Sequence, residues 1–427
     1  MRDVSLTLSI LLLTALSSGC KGPSAASGRV ILGDERFSEY LPLLEGKRVA
    51  IFANQSAIVG DEISGVPSRV PVDDNTVTVP FIPSGDPSLG AHLLDVLLEK
   101  GVNVTAIFSP EHGFRGTADA GEHVGSSVDE KTGVPILSLY EGSKGRPSDG
   151  SMDTFDVLVV DIQDVGLRYY TYYISMQRLM DACAEFDKEV IILDRPNPNG
   201  FYVDGPVLDM ELRSGVGSLP IPIVHGMTLG ELGRMMVGEG WLKDGRECAL
   251  TVIPCLNYSH STLYSLILAP SPNLKDMKAV LLYSSTCFFE GTKVSLGRGT
   301  DHPFEMYGHP DMKDQPFSFI PRSVPGAKNP PLLDRECHGK DLRGKPLSEI
   351  LSEGVNLSYV IDAYKSISEK GREDFFGSGR FFNLLTGDRT VMEDIKEGKT
   401  SEEIRSKWTE GIYKFKKQRE PYLLYAE

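Results

Sequence analysis

Val104-Thr105-Ala106-Ile107-Phe108 runs straight into Ser109-Pro110-Glu111-His112-Gly113-Phe114-Arg115-Gly116. The first five residues read as a buried strand, short, apolar and β-prone. The next eight place a carboxylate, an imidazole and a guanidinium within five positions, in a loop shaped by one proline and two glycines. In an open α/β sheet, ligands bind in the crevice beyond the carboxyl ends of the strands. The juxtaposition therefore predicts both a parallel sheet and a site at its edge.

Two later stretches repeat the arrangement. Phe155-Asp156-Val157-Leu158-Val159-Val160 leads into Asp161-Ile162-Gln163-Asp164-Val165-Gly166-Leu167-Arg168-Tyr169-Tyr170. Glu189-Val190-Ile191-Ile192-Leu193 leads into Asp194-Arg195-Pro196-Asn197-Pro198-Asn199-Gly200. Taken singly, Asp161 or Asp194 reads equally well as a helix cap or a local partner for arginine, since Asp is a favoured N-cap. Taken together, three such ends on neighbouring strands read as one cleft lined by Glu111, Asp161, Asp164, Arg168, Asp194 and Arg195.

Strands alternate with helical patterns between them. Arg48 to Ala53 is a first strand, Leu89 to Lys100 an amphipathic helix, Pro135 to Tyr140 a short strand, and Thr171 to Phe186 a crossover helix of period 3.6. This alternation predicts an α/β, doubly wound parallel sheet. The Gly/Pro/Asp-rich stretch 60–88 reads as an excursion with a β-prone patch at Thr76 to Ile82. No GxGxxG follows the first strand, so a dinucleotide is not expected. Beyond residue 225, Thr228 and Glu231 form a capping-box signature for a helix to Glu239. Ala279 to Tyr283 reads as a strand, and Glu349 to the end as several amphipathic helices. A boundary in the Leu208 to Ile223 loop gives a first domain over 29–215 and a smaller α/β domain over 216–427. The second half brings its own polar loop, Glu290-Gly291-Thr292-Lys293-Val294-Ser295-Leu296-Gly297-Arg298-Gly299-Thr300, where Arg298 between glycines suits an anion. The alternative is a tight structural turn.

The chain has 427 residues and a net charge of −15, which argues against nucleic acid as a partner. Arg2, the apolar run Leu6 to Leu16, and Ser17-Ser18-Gly19-Cys20 predict an export signal over 1–20, with Cys20 as a lipidation site and 21–28 as a tether. An ordinary secretory signal is the alternative. Two acyl signals suffice for stable anchoring, so a membrane-anchored lipoprotein of the cell envelope is expected. Six cysteines occur without CxxC or Cys/His ligand spacing, so neither zinc nor a disulfide framework is expected. A Cys248–Cys255 bridge is left open.

These motifs, FSPEHGFRG, GEHVGSSVDEKTGVPILSLY, DVLVVDIQDVGLRYYTYY, LDRPNPNG, VHGMTLGEL, SPN at 271–273 and EGTKVSLGRGTDHPFE, stand in an order that resembles the NamZ-type exo-β-N-acetylmuramidases. The resemblance runs from about residue 46 to the C-terminus. It implies release of single N-acetylmuramic acid units from the non-reducing end of peptidoglycan fragments, without metal or nucleotide. It also implies a cleft between a Rossmann-like domain and a smaller one, and Glu111 as general acid/base. Glycoside cleavage needs such an acid and stabilisation of an oxocarbenium-like state. The second carboxylate stays open among Glu122, Asp164 and Glu290, and the substrate's acetamido group is an alternative nucleophile. Arg115, Arg168 and Arg298 are candidates for the lactyl carboxylate, and His112, Tyr170, Asn197 and His225 for sugar contacts. A different cell-wall sugar hydrolase, or a non-catalytic lipoprotein binding peptidoglycan fragments, is the competing reading.

Overall fold

The computed structural model describes residues 28–60, 73–83, 86, 88–110, 114, 127–139 and 146–427. Its centre is a seven-stranded sheet in the order β3-β4-β2-β1-β5-β6-β7. The strands are β1 (Val49–Ala53), β2 (Val104–Phe108), β3 (Ser127–Val128), β4 (Pro135–Leu137), β5 (Val157–Asp161), β6 (Glu189–Leu193) and β7 (Leu250–Ile253). All neighbours pair in parallel except β3, which runs antiparallel to β4. β1 and β5 are buried along their whole length, as expected of strands covered on both faces by crossover helices. The helix Tyr172–Glu185 carries β5 to β6. The chain steps outward from β1 to β2 and β4, then returns to the other side of β1 to form β5. The switch point therefore lies between the carboxyl ends of β1 and β5, where a crevice is expected.

A second sheet, β8 (Met306–His309), β9 (Phe317–Phe319) and β10 (Cys337–Asp341), is antiparallel in the order β8-β10-β9. The helix Ser358–Ser366 packs beside it, Tyr307 of β8 donating to Asp362 at 2.8 Å, and further short helices follow to Arg419. The chain is thus an α/β protein with a large parallel sheet and a smaller second unit. The parallel sheet does not end at residue 215, because β7 extends it to Ile253. The helix Leu229–Gly238 starts at the expected Thr228/Glu231 capping box.

Ala279 to Tyr283 is helix rather than strand, inside Met277–Thr286. Every residue of that helix is buried. The stretch Ala279 to Tyr283 is a continuous apolar run, which periodicity alone cannot tell from a core strand, and Asp276 starts the helix by accepting from the Ala279 N–H at 2.9 Å. The patch Thr76 to Ile82 forms a 3₁₀ turn at Thr76–Thr78 and two isolated bridges, Pro80 to Asp276 and Ile82 to Leu268. Cys183, Cys248, Cys255, Cys287 and Cys337 are buried free thiols, and Cys255 Sγ lies 3.1 Å from the Asp194 carbonyl oxygen. This corrects the Cys248–Cys255 bridge. Cys20, the export signal and all of the tether but Gly28 lie outside the described residues. Among the described residues, no helix is long and apolar enough to cross a membrane.

Candidate functional site

The carboxyl ends of β1, β2, β5 and β6 are knitted together by side chains. Asn54, just past β1, accepts from both the N–H and the hydroxyl of Ser56 (2.9 and 2.6 Å) and donates to the Tyr172 hydroxyl (3.1 Å). Ser56 in turn accepts from the Gln163 N–H at 3.0 Å, across the switch point. The Gln163 amide reaches on to the Pro196 carbonyl at 2.8 Å, beyond β6. At the β2 end, Ser109 and Pro110 are buried, and Phe114 packs edge-on against His92 with ring centres 4.9 Å apart. His92 Nε2 lies 2.9 Å from the Asn54 carbonyl oxygen. Ser109, Pro110 and Phe114 are therefore held at this edge. Glu111, His112, Arg115 and Glu122 lie outside the described residues.

Asp164 is the described acid at this edge with an unspent oxygen. Its Oδ1 accepts from the Gly166 N–H at 2.7 Å, while its buried Oδ2 has no hydrogen-bond partner. Burial pushes its pKa up to about 7, against the pull of the Gly166 and Val165 N–H groups. An acid whose folded pKa is raised binds its proton more tightly in the native state. Its stabilisation is complete below the unfolded value near 4 and is lost as pH rises toward 7. Asp164→Asn removes that loss. We expect the variant to gain about 3 kcal/mol on wild type between pH 5 and pH 8, at 1.4 kcal/mol per pKa unit. Urea unfolding at the two pH values measures it, and an unchanged difference would show that Asp164 is ionised in the fold.

Other acids of the three strand ends are consumed by the scaffold. Asp161 is fully buried and pairs with Arg195 at 2.5 Å, and Arg195 reaches Asp34 at 2.7 Å. Asp194 accepts from the Gly230 N–H and the hydroxyls of Thr228 and Tyr425 (2.8, 2.6 and 2.6 Å). It thus serves the start of the helix Leu229–Gly238, the structural alternative stated above. Asp34 and Tyr425 sit at opposite ends of the chain, and no local signal connects them to β6.

Three expected substrate contacts are also scaffold, and a fourth, His225, is buried with Nε2 unpartnered. Arg168 is fully buried, its guanidinium donating to the carbonyls of Pro206, Ile221, Leu385 and Thr386. Tyr170 donates to the Pro270 carbonyl at 2.7 Å, the packing role a Tyr pair at a strand–helix junction usually takes. Asn197 uses both ends of its amide, donating to the Met227 carbonyl and accepting from the Asn199 N–H (2.9 and 2.8 Å). It lies so close to Gly166, at φ +75°, that a Cβ there would be 2.1 Å from Asn197 Oδ1. His225 is 1 % exposed and accepts from the Met227 N–H at 3.2 Å. Burial, with Arg419 nearby, lowers its pKa to about 3, so it is neutral.

Glu290 and Arg298 come together as a partly exposed pair. Arg298 Nε donates to Glu290 Oε1 at 2.8 Å, and its guanidinium lies over the Phe304 ring at 5.1 Å. The pair lines a cavity of about 470 Å³ with Phe289, Lys328, Asn329 and Phe381. Ligand pockets begin at about 300 Å³, so the space suits a small molecule or one sugar. At the switch point, by contrast, the cavity between Ser56, Gln163, Arg195 and Tyr264 is about 20 Å³, close to one water. Aromatic contacts link the two regions: Tyr170 to Tyr283 at 6.4 Å and Tyr283 to Phe304 at 4.7 Å. Asn273 of the SPN segment donates to the Gly326 carbonyl at 2.9 Å, securing one wall of the larger cavity. Lys328, Asn329 and Phe381 carried no motif in the sequence.

Residues 82–278 match the family described as exo-beta-N-acetylmuramidase NamZ, N-terminal, and residues 281–425 match its C-terminal counterpart. The chain is 33% identical over 435 aligned positions to the peptidoglycan beta-N-acetylmuramidase NamZ of Bacillus subtilis, covering 97% of this chain and 96% of that protein. Two solved structures of DUF1343 family proteins from Bacteroides fragilis are similar. One is 52% identical with a TM-score of 0.80, covering 94% of this chain and all of the other. The second is 25% identical with a TM-score of 0.72, covering 93% and 99%.

Proposed function

The chain belongs to the NamZ family of exo-beta-N-acetylmuramidases and is a glycoside hydrolase, and from that premise we propose that it removes terminal N-acetylmuramic acid from the non-reducing end of peptidoglycan fragments. The observation carrying the reading is the match to both halves of the family, one after the other, along nearly the whole chain. The cavity at Glu290 and Arg298 supports it, being roomy enough for one sugar and holding a guanidinium suited to a carboxylate.

In this reading Glu111 protonates the leaving oxygen. Asp164, protonated near neutrality and with Oδ2 unspent, is the described acid best prepared to hydrogen-bond an acetamido group rather than attack carbon. Glu122 is the rival for a second carboxylate role. Arg298 takes the lactyl carboxylate, sharing or exchanging its contact with Glu290. Export and lipid attachment at Cys20 would bring the enzyme to its polymer.

The test is incubation of the purified protein with N-acetylmuramyl-β-1,4-N-acetylglucosamine, and with polymeric peptidoglycan, followed by mass spectrometry of the products. Free N-acetylmuramic acid from both, without larger muropeptides, is expected. Release of internal fragments would overturn the exo assignment. Binding of N-acetylmuramic acid without any release would favour the non-catalytic reading.

A further inference from the structure

Asp276, His302 and Glu305 offer ligand atoms that all lie within 4.8 Å of one another. They come from separate parts of the chain. Asp276 caps the helix Met277–Thr286, while His302 and Glu305 follow the Arg298 loop. The two acids are 4 % and 2 % exposed. His302 Nδ1 sits 3.0 Å from Glu305 Oε1, and its side chain is 40% exposed, leaving the group open to solvent on one side.

The neighbouring cations spend their hydrogen bonds on other groups, although their charges reach Glu305. Lys278 Nζ donates to the carbonyl of Lys345 at 3.0 Å and also to that of Arg343. Arg343 pairs with Asp341 at 2.8 Å. Two buried carboxylates and one imidazole thus converge from separate parts of the chain, a donor set that a divalent ion satisfies at once.

We propose that Asp276, His302 and Glu305 form a divalent transition-metal site, taking zinc in preference to magnesium or calcium. The donor set decides the class of ion: imidazole suits zinc, whereas magnesium and calcium prefer oxygen donors alone. Three protein ligands and a water complete a four-coordinate zinc. Ligands about 2.1 Å from zinc stand about 3.5 Å apart in a tetrahedron, so small side-chain rotations close the set.

The site would act on structure, not on bond cleavage. The Thr300 hydroxyl bonds the Gly297 carbonyl at 2.6 Å, and the His302 N–H bonds that same hydroxyl at 3.1 Å. Phe304, immediately before Glu305, has the unusual φ of +71°. Arg298 lies over the Phe304 ring. An ion holding His302 and Glu305 to Asp276 would therefore hold the loop that presents Arg298.

The experiment is titration of ZnCl₂ into chelator-treated, untagged protein by calorimetry, with thermal unfolding in parallel and MgCl₂ as the comparison ion. Wild type should bind one zinc ion tightly, and zinc should raise the unfolding midpoint by about 2–4 °C. Magnesium should do neither. His302→Ala removes a half-exposed ligand, so the fold should survive while zinc affinity falls at least 100-fold. Glu305→Gln should lose binding in the same way. Equal zinc binding by wild type and His302→Ala, or none by folded wild type, would overturn the site.

Discussion

Glu111→Gln should cut turnover of the disaccharide by about 10³-fold or more while leaving the affinity for free N-acetylmuramic acid within a factor of a few. Positioned general acids contribute 10²–10⁴-fold, and a sugar leaving group, being a poor one, needs the whole of that help. Gln keeps the size of Glu and can donate a hydrogen bond, but it cannot deliver a proton. The decisive readout is therefore the dependence on leaving group. A para-nitrophenyl β-N-acetylmuraminide leaves without protonation, so its cleavage should fall far less than that of the disaccharide. Equal losses on both substrates would move Glu111 from acid to nucleophile or orienting group. No loss on either would remove it from the chemistry. Its described neighbours Ser109, Pro110 and Phe114 are packed by other groups, and Gln has the size of Glu, so the exchange should leave the sheet edge intact.

The sheet was legible in the sequence because its strands are short apolar runs that end abruptly in polar residues. Val157 to Asp161 is found almost where the pattern puts it. The helix Met277–Thr286 was not, since it is buried on every side and its central run Ala279 to Tyr283 is apolar without a break, as in a core strand. The site was legible in part, for a related reason. A strand end rich in Asp, Arg and Asn signals a crowded polar edge, but not which groups face a ligand and which satisfy one another. Asp194 and Asp161 are indistinguishable from Asp164 in sequence. What separates them is the partner each meets: Thr228 and Tyr425 for Asp194, Arg195 for Asp161, and none for one oxygen of Asp164. Those partners lie up to 231 residues away. Glu290 and Arg298 were each legible as site candidates on one glycine-rich loop, but that they bond each other is a finding of the fold. Asp276 could not be joined to His302 and Glu305, because the turn that unites them depends on a tertiary contact.

Arg168→Ala should destabilise the protein by about 3–5 kcal/mol, the usual cost of emptying a buried, hydrogen-bonded charged site. The reason is the role the fold gives this side chain in place of the expected substrate contact. Its guanidinium donates to Pro206 and Thr386 at 2.7 Å and to Ile221 and Leu385 at 3.0 Å. Leu385 and Thr386 end the helix Arg380–Thr386, whose last carbonyls have no partners within the helix. A cation there also meets the negative end of the helix dipole. Arg168 therefore fastens the start of the β5–β6 crossover to the C-terminal helices, 217 residues further on. Gly387, at φ +69°, is part of the fitting, since a Cβ there would come within 2.4 Å of the guanidinium. Arg168→Lys separates the two roles. A single ammonium on a flexible stem cannot reach four carbonyls in a plane, so a structural clamp predicts a loss of about 2 kcal/mol in urea unfolding, with KM unchanged at temperatures where the variant stays folded. A variant as stable as wild type but with a KM raised tenfold or more would return Arg168 to the substrate.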